Sequence, residues 1–200
     1  MLTLTPDLIE LLEGAGNHRK TLQAYLGPLP VLRRDQYGAA ELEAMSDAEL
    51  FVARGPGPMA CRRLEVPGLT GIDAFAVGGG GQNLLLTEKG VRVGGIFQLL
   101  PFVPPAHRGR GLGALMVLIS DLNGDRFLFP ESYSEEGFRA RCAAHRTQVR
   151  LALEAGLPVP EGVLDPYRSG PEMSWTAEEQ NRQARLAGEG ATGQEISLDP

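Results

Sequence analysis

Lysine is nearly absent from this 200-residue chain: of its 19 basic residues, 17 are arginines and 2 are lysines. The positive charge therefore sits on guanidinium groups, which suit bidentate contacts to phosphate and carboxylate. Cysteine is equally scarce. Cys61 and Cys142 stand 81 positions apart, which excludes a structural zinc site, since that needs about four Cys or His ligands at short spacing. The two read as buried free thiols in a reducing compartment. A basic segment is missing at the N-terminus, where Asp7, Glu10 and Glu13 come early, so the start does not read as a signal peptide. Long apolar runs are missing too. The longest, Val93 to Pro105, is broken by Gln98 and three prolines, too short and too interrupted to span a bilayer. The expected location is cytoplasmic. No internal repeat is present, and 26 glycines and 15 prolines without a fixed period exclude collagen but predict long loops.

The net charge of −6 speaks against nucleic acid as a chain-wide partner. It is unevenly spread. Residues 170–200 hold six acids and two bases, a net −4, which leaves residues 1–169 at −2. Apolar residues make up 42% of the chain, enough for a core. Three regions are expected: a helical segment 1–58, an α/β core 59–169 with a long C-terminal helix, and an acidic tail 170–200.

Thr5-Pro6-Asp7 is a helix start, with a capping hydroxyl, proline at the first helical position and an acid complementing the dipole. Leu8, Ile9, Leu11 and Leu12 supply its apolar face and Gly14 its end. A second helix is predicted over Ala39 to Phe51, and Gly55-Pro56-Gly57-Pro58 then breaks regular structure. Strands are predicted over Cys61 to Val66, Ile72 to Val77, Leu84 to Thr87 and Val91 to Val103, the last bulged or split near Gly94-Gly95. Gly111 to Leu122 is apolar on nearly all sides and reads as a helix buried against a sheet. A short strand is expected over Arg126 to Phe129. A long helix over Glu135 to Ala155 carries the stripe Phe138, Cys142, His145, Val149 and Leu153, spaced by three and four. On that stripe His145 reads as a packed, hydrogen-bonded histidine, and mid-helix Cys142 is a poor nucleophile. Leu157 to Tyr167 reads as an extended, proline-containing arm, and Ser174 to Leu186 as a helix capped by Thr176.

Between the best strand and the most apolar helix lies Pro104-Pro105-Ala106-His107-Arg108-Gly109-Arg110-Gly111-Leu112-Gly113-Ala114. A glycine-rich turn entering a helix is a good anion site. Main-chain N–H groups converge there, and the helix dipole adds roughly half a positive charge. Gly109, Gly111 and Gly113 would let the main chain approach a ligand, and Arg108 and Arg110 would add positive charge. The dinucleotide pattern of spaced glycines and the Gly-Lys-Ser/Thr of a P-loop are both absent.

The segment resembles the acyl-CoA loop of the GCN5-related N-acetyltransferases. Their signature, Gln/Arg-x-x-Gly-x-Gly/Ala, reads here as Arg108-x-x-Gly111-x-Gly113, after a strand ending Val103-Pro104-Pro105. The resemblance covers roughly residues 72–138. It implies a mixed, mostly antiparallel sheet flanked by helices, with a V-shaped acyl-CoA cleft and an added C-terminal helix and tail. It implies that the backbone from Arg108 through Gly109, Arg110, Gly111, Leu112 and Gly113 to Ala114 cradles the CoA pyrophosphate. Val103 would then end the strand that carries the acetyl group. Tyr133-x-x-x-Gly137-Phe138 is similar to a downstream family motif in which the tyrosine protonates the departing thiolate, which makes Tyr133 the candidate general acid. The implied activity is transfer of an acetyl group from acetyl-CoA to an amine.

The resemblance has gaps. The strand and helix that usually follow the loop are compressed to about ten residues, and the C-terminal hairpin is replaced by the helix Glu135 to Ala155. No carboxylate lies between Val91 and Pro105, so the base must come from Glu131, Glu135, Glu136 or Asp121, each otherwise a surface acid, or from water. Glu88 lies in a turn. His107 flanks the loop and reads as an exposed loop histidine or a phosphate contact. No Ser/His/Asp triad can be assembled. Arg139, Arg141, Arg146 and Arg150 give the long helix a basic face, either solvated or binding an anion or the acidic tail. The alternative to an enzyme is a binding or assembly protein on a truncated core of this kind, with the C-terminal helix and tail as its partner surface.

Overall fold

In the computed structural model, residues 2–33, 37–124, 127–128, 131–168 and 176–191 are described. Five strands form one sheet in chain order: β2 (Cys61–Leu64), β3 (Asp73–Val77), β4 (Asn83–Glu88), β5 (Val91–Phe97) and β6 (Leu100–Phe102). Every neighbouring pair is antiparallel. Strand β1 (Val31–Leu32) lies apart and pairs in parallel with β7 (Tyr133–Ser134). The helices are α1 (Pro6–Ala15), α2 (Leu22–Leu26), α3 (Ala39–Arg54), α4 (Leu112–Leu122), α5 (Glu135–Glu154), α6 (Glu161–Arg168) and α7 (Ala177–Ala191). The fold class is thus mixed α/β, an antiparallel sheet flanked by helices.

Period-two alternation gives the sheet two apolar faces. Ala74, Ala76, Leu84, Leu86 and Ile96 form one core with Leu8 and Leu12 of α1 and with Met116 and Ile119 of α4. Leu85 and Val77 turn the other way and pack on Phe51 and Val52 of α3. Helices α1 and α3, both within residues 1–58, therefore pack on opposite faces of the sheet. Gly95 makes the α3 contact possible: a Cβ there would stand 2.7 Å from the Leu84 carbonyl oxygen and 3.2 Å from Val52.

The long strand predicted over Val91 to Val103 is bulged next to Gly94 and split further on. The register moves from Leu86↔Gly94 to Thr87↔Arg92, so Val93 is the extra residue of the bulge. The split comes at Gln98-Leu99, a two-residue hairpin turn with φ of 48° and 70°. Both values are positive, as the twist of a tight hairpin demands.

The helix starts follow their caps. Thr5 accepts from the Leu8 amide at 3.2 Å and Ser134 from the Gly137 amide at 2.9 Å. Helix α1 runs past Gly14 to end at Gly16, left-handed at φ 65°. Four of the five stripe residues of α5 are buried, and Leu153 is exposed. The arm expected after Gly156 is instead the helix α6 from Glu161, which buries Val163 and contains Pro166. It is short enough that the proline removes a single helical bond, to Gly162. Within the short strand expected over Arg126 to Phe129, Phe127 and Leu128 are buried without strand structure, and Arg126 and Phe129 lie outside the described residues. Ser174 and Trp175 of the expected tail helix also lie outside them, and α7 begins just after Thr176. No helix among the described residues is long and apolar enough to cross a membrane.

Candidate functional site

From β6 the chain passes through a 3-10 turn, Pro105–His107, and then through Gly109 and Gly111, both left-handed at φ 75° and 76°. A Cβ at either glycine would meet nothing within 4 Å, so backbone conformation and not crowding calls for glycine here. Gly111 precedes α4 without a side-chain cap, and the first main-chain bond of the helix is Leu115 N–H to the Gly111 carbonyl. The N–H groups of Leu112, Gly113 and Ala114 thus lie in the first turn, before the helical ladder begins.

Arg108 donates through Nε to the Val103 carbonyl at 3.1 Å and ties the turn to the strand before it. Arg110 donates to Glu88 Oε1 at 2.8 Å and lies 3.2 Å from His107 Nδ1. A guanidinium only donates, so His107 Nδ1 accepts and the ring proton sits on Nε2. The hydrogen bond from Arg110 holds the Glu88 carboxyl below its ordinary range, which keeps Glu88 ionised and a poor proton acceptor. In the sequence Glu88 reads as a turn residue. Its place at the end of β4, one strand from the turn, was not visible without the pairing.

The expected cradle separates into parts with different tasks. Leu112 is buried in the main core. Gly113 faces α5, where a Cβ would stand 3.3 Å from that of Ala140, so its smallness serves helix packing. Val103 packs half-buried against the core, and Ala114 is half-buried. Gly109, Arg110 and Gly111 remain exposed.

Tyr133 belongs to a different cluster. It packs with Leu22, Leu26, Val31 and Phe138 and is 5% exposed. Its hydroxyl donates to the Leu26 carbonyl at 2.5 Å. Burial raises its pKa. A phenol sealed in this way, with its proton already given to a carbonyl, is a structural group and not an exposed acid. Strand β6 is the edge of the sheet, and its described neighbour is β5. The splayed second strand of the expected V-shaped cleft is absent among the described residues.

A buried polar network lies under α4 and α5. Asp121 Oδ2 accepts from the Tyr25 hydroxyl at 2.6 Å and from Gln148 Nε2 at 2.7 Å, and Arg141 lies 3.4 Å from Oδ1. The Arg141 guanidinium stacks 4.7 Å above the Tyr25 ring. Asp121 is therefore no surface acid, and Arg141 is no part of a basic face. The other arginines of that face are engaged as well: Arg139 with Glu135, Arg150 with Glu154, and Arg146 over the Tyr167 ring. The signal for the network was a lone acid inside an apolar helix.

His145 is fully buried, as its place on the stripe predicts. Its Nε2 faces the Lys20 carbonyl at 3.0 Å and its Nδ1 the Tyr167 hydroxyl. The carbonyl only accepts, so Nε2 carries the proton and Tyr167 donates to Nδ1. Burial pulls the His145 pKa down to about 4. Cys142 is buried with its thiol pushed up to about 12, so it is inert. Cys61, expected to be buried, is exposed on the edge strand β2. Among the described residues no cluster of His, Cys, Asp and Glu is arranged to hold a metal ion.

No protein-family model, curated protein or solved structure matches the chain.

Proposed function

We propose that this chain binds the pyrophosphate of acetyl-CoA on the turn between β6 and α4, and transfers the acetyl group to an amine. The observation that carries this is the pair of left-handed glycines, Gly109 and Gly111, open on their Cβ side beside Arg110 at the uncapped start of α4. A phosphate placed there meets the first-turn amides of Leu112, Gly113 and Ala114, the positive end of the helix and the Arg110 guanidinium. Arg108 keeps the turn in shape through Val103. The resemblance of Arg108-x-x-Gly111-x-Gly113 to the acetyltransferase loop supplies the identity of the cofactor.

In the transfer, the amine nitrogen attacks the thioester carbonyl carbon. The C–N bond forms, the C–S bond breaks, and the thiolate leaves with the electron pair. The nitrogen, cationic once bonded to the acyl carbon, gives a proton to solvent, and the thiolate takes one from solvent. Tyr133 has no part in these steps, because its hydroxyl is buried and given to Leu26.

A second reading, a binding or assembly protein without catalysis, has a specific observation in its favour. In the β5–β6 hairpin, Phe97↔Leu100 closes the turn, so Ile96↔Pro101 is the pair that faces outward from the ladder. Pro101 therefore removes the N–H that the free edge would offer to an extended pantetheine arm.

Isothermal titration with acetyl-CoA and with CoA separates the two readings. Saturable binding, lost in a folded Gly111→Glu variant, is the result expected of the enzyme. No binding at millimolar ligand overturns the enzyme reading and leaves the second one standing. Binding of CoA without thiol release across a panel of amines leaves the second reading standing.

A further inference from the structure

The chain has two lysines, Lys20 and Lys89. Lys20 is engaged, donating to Asn17 Oδ1 at 2.8 Å. Lys89 forms, with Gly90, the two-residue turn between Glu88 and Val91 of the β4–β5 hairpin. Both turn residues have positive φ, 51° at Lys89 and 79° at Gly90. Asn-Gly is the favoured pair in such a turn, because asparagine enters the left-handed region more readily than a long side chain does. Lysine gives this turn nothing that asparagine would not give better.

The cations around Lys89 have partners. Arg110 donates to Glu88 Oε1 at 2.8 Å and lies 3.2 Å from His107 Nδ1. Arg108 is tied through Nε to the Val103 carbonyl. Arg92 reaches away to the end of α3, where Nη1 donates to the Ala53 carbonyl at 3.4 Å and a Cβ on Gly55 would collide with the guanidinium. Lys89 itself is exposed and makes no hydrogen bond or ion pair among the described residues. It stands close to the glycine turn all the same. The Glu88 carboxyl, held low first by the Arg110 hydrogen bond, is lowered by the charge of Lys89 as well.

We propose, resting on the reading of the glycine turn as a pyrophosphate site, that Lys89 binds a second phosphate of the same ligand and makes the site select CoA over dephospho-CoA, which lacks the phosphate on the ribose.

The chemistry of the two positions differs in the way the two phosphates do. A pyrophosphate is a diester-like anion, suited to converging main-chain amides and a helix start. The ribose phosphate is a terminal monoester, close to doubly charged at neutral pH, with three oxygens open to solvent. An ammonium on a flexible four-carbon stem, with three rotatable donors, meets such a group without a fixed geometry. Lys89 offers that from a separate element, across the Glu88–Arg110 pair from the start of α4.

The test is isothermal titration of the full chain and of Lys89→Asn, each with CoA and with dephospho-CoA. Asparagine suits the turn, so the variant is expected to fold and to unfold at the same or a higher temperature than the unaltered chain. CoA is expected to bind the unaltered chain about fivefold more tightly than dephospho-CoA, the effect of a strong exposed ion pair. Lys89→Asn is expected to bind both ligands equally, with its affinity for dephospho-CoA unchanged. Added salt is expected to narrow the preference of the unaltered chain. Equal binding of the two ligands to the unaltered chain overturns the role of Lys89 and leaves the glycine-turn reading in place, and so does a preference that survives in Lys89→Asn. Binding of neither ligand at millimolar concentration overturns the glycine-turn reading, and the role of Lys89 with it.

Discussion

The hydroxyl of Tyr25 donates to the carboxylate of Asp121 at 2.6 Å, and Gln148 and Arg141 close on the same carboxylate from α5. One buried charge thereby joins α2, α4 and α5. Burial, then the charge of Asp121, keeps the Tyr25 phenol well above its ordinary pKa, so it remains a donor. Removing one member of a buried ion pair costs about 3–5 kcal/mol, because the other is left desolvated. Asp121→Ala is expected to lose that amount in urea denaturation. Tyr25→Phe, which removes one hydrogen bond to a charged group, is expected to lose about 1.5–3 kcal/mol. The pair Tyr25→Phe with Asp121→Asn is expected to be strongly non-additive, because the two share one contact.

His145 makes stability depend on pH with a definite sign. Its folded pKa is about 4, below the 6.5 of the open chain. Between those values the unfolded chain takes up a proton that the folded one refuses. Stability is therefore full above pH 6.5, falls as pH drops towards 4, and loses nothing more from this group below that. The loss over the window is about 3 kcal/mol at 1.36 kcal/mol per pH unit. His18 is lowered too, chiefly by burial, and adds in the same direction. Positive charge on Lys20 lowers His145 further and that on Arg19 lowers His18, while Glu13 acts against the shift of His18. Thermal unfolding followed from pH 8 to 4 is expected to show the fall, and His145→Gln to flatten it.

The sheet and α4 were legible because their signals are local. Hairpin turns such as Glu88-Lys89-Gly90 and the alternation of Ala74, Ala76, Leu84 and Leu86 depend on neighbours in the chain. The α5 stripe was legible through its period, which placed His145 and Cys142 inside. What escaped was set by partners far away in sequence. Arg141 reads as part of a basic run until Asp121 is brought beneath it, and Tyr133 reads as a motif tyrosine until Leu26 takes its hydroxyl. The β1–β7 pair is two residues on each strand, too short for any alternation to show. Helix α6 was hidden by Pro166, which argues locally against the helix that the buried Val163 secures.

Gly111 and Gly113 are two residues apart and are glycines for different reasons, which variants will separate. At Gly111, φ is 76° and a Cβ meets nothing, so Gly111→Ala costs backbone strain alone, about 1 kcal/mol. Gly113 is inside the helix, with Ala140 3.3 Å from the position of a Cβ. There alanine gains roughly 1 kcal/mol of helix propensity, offset by the tight contact, and a near-neutral result is expected. Gly113→Val overfills the α4–α5 contact and is expected to lose about 1–3 kcal/mol. Chemical denaturation of the three variants reads the difference.

Glu88 competes with any anion for Arg110. The 2.8 Å ion pair holds the guanidinium beside the turn, and both side chains are more than a third exposed, so the contact exchanges readily with solvent and with ligand. Glu88→Gln removes the competing charge and keeps the side-chain length. Affinity for CoA is expected to rise severalfold, because Arg110 is released to the phosphates. Glu88→Lys is expected to raise it further and to steepen the loss of binding with added salt, as a new surface charge is screened within about 10 Å at 0.1 M. Arg110→Ala is expected to weaken CoA binding and to erase the effect of Glu88→Gln, since the carboxylate acts on the ligand chiefly through this one guanidinium. Isothermal titration of the three single variants and the Glu88→Gln/Arg110→Ala pair measures these terms. A Glu88→Gln gain that survives Arg110→Ala would show that the carboxylate repels the ligand directly.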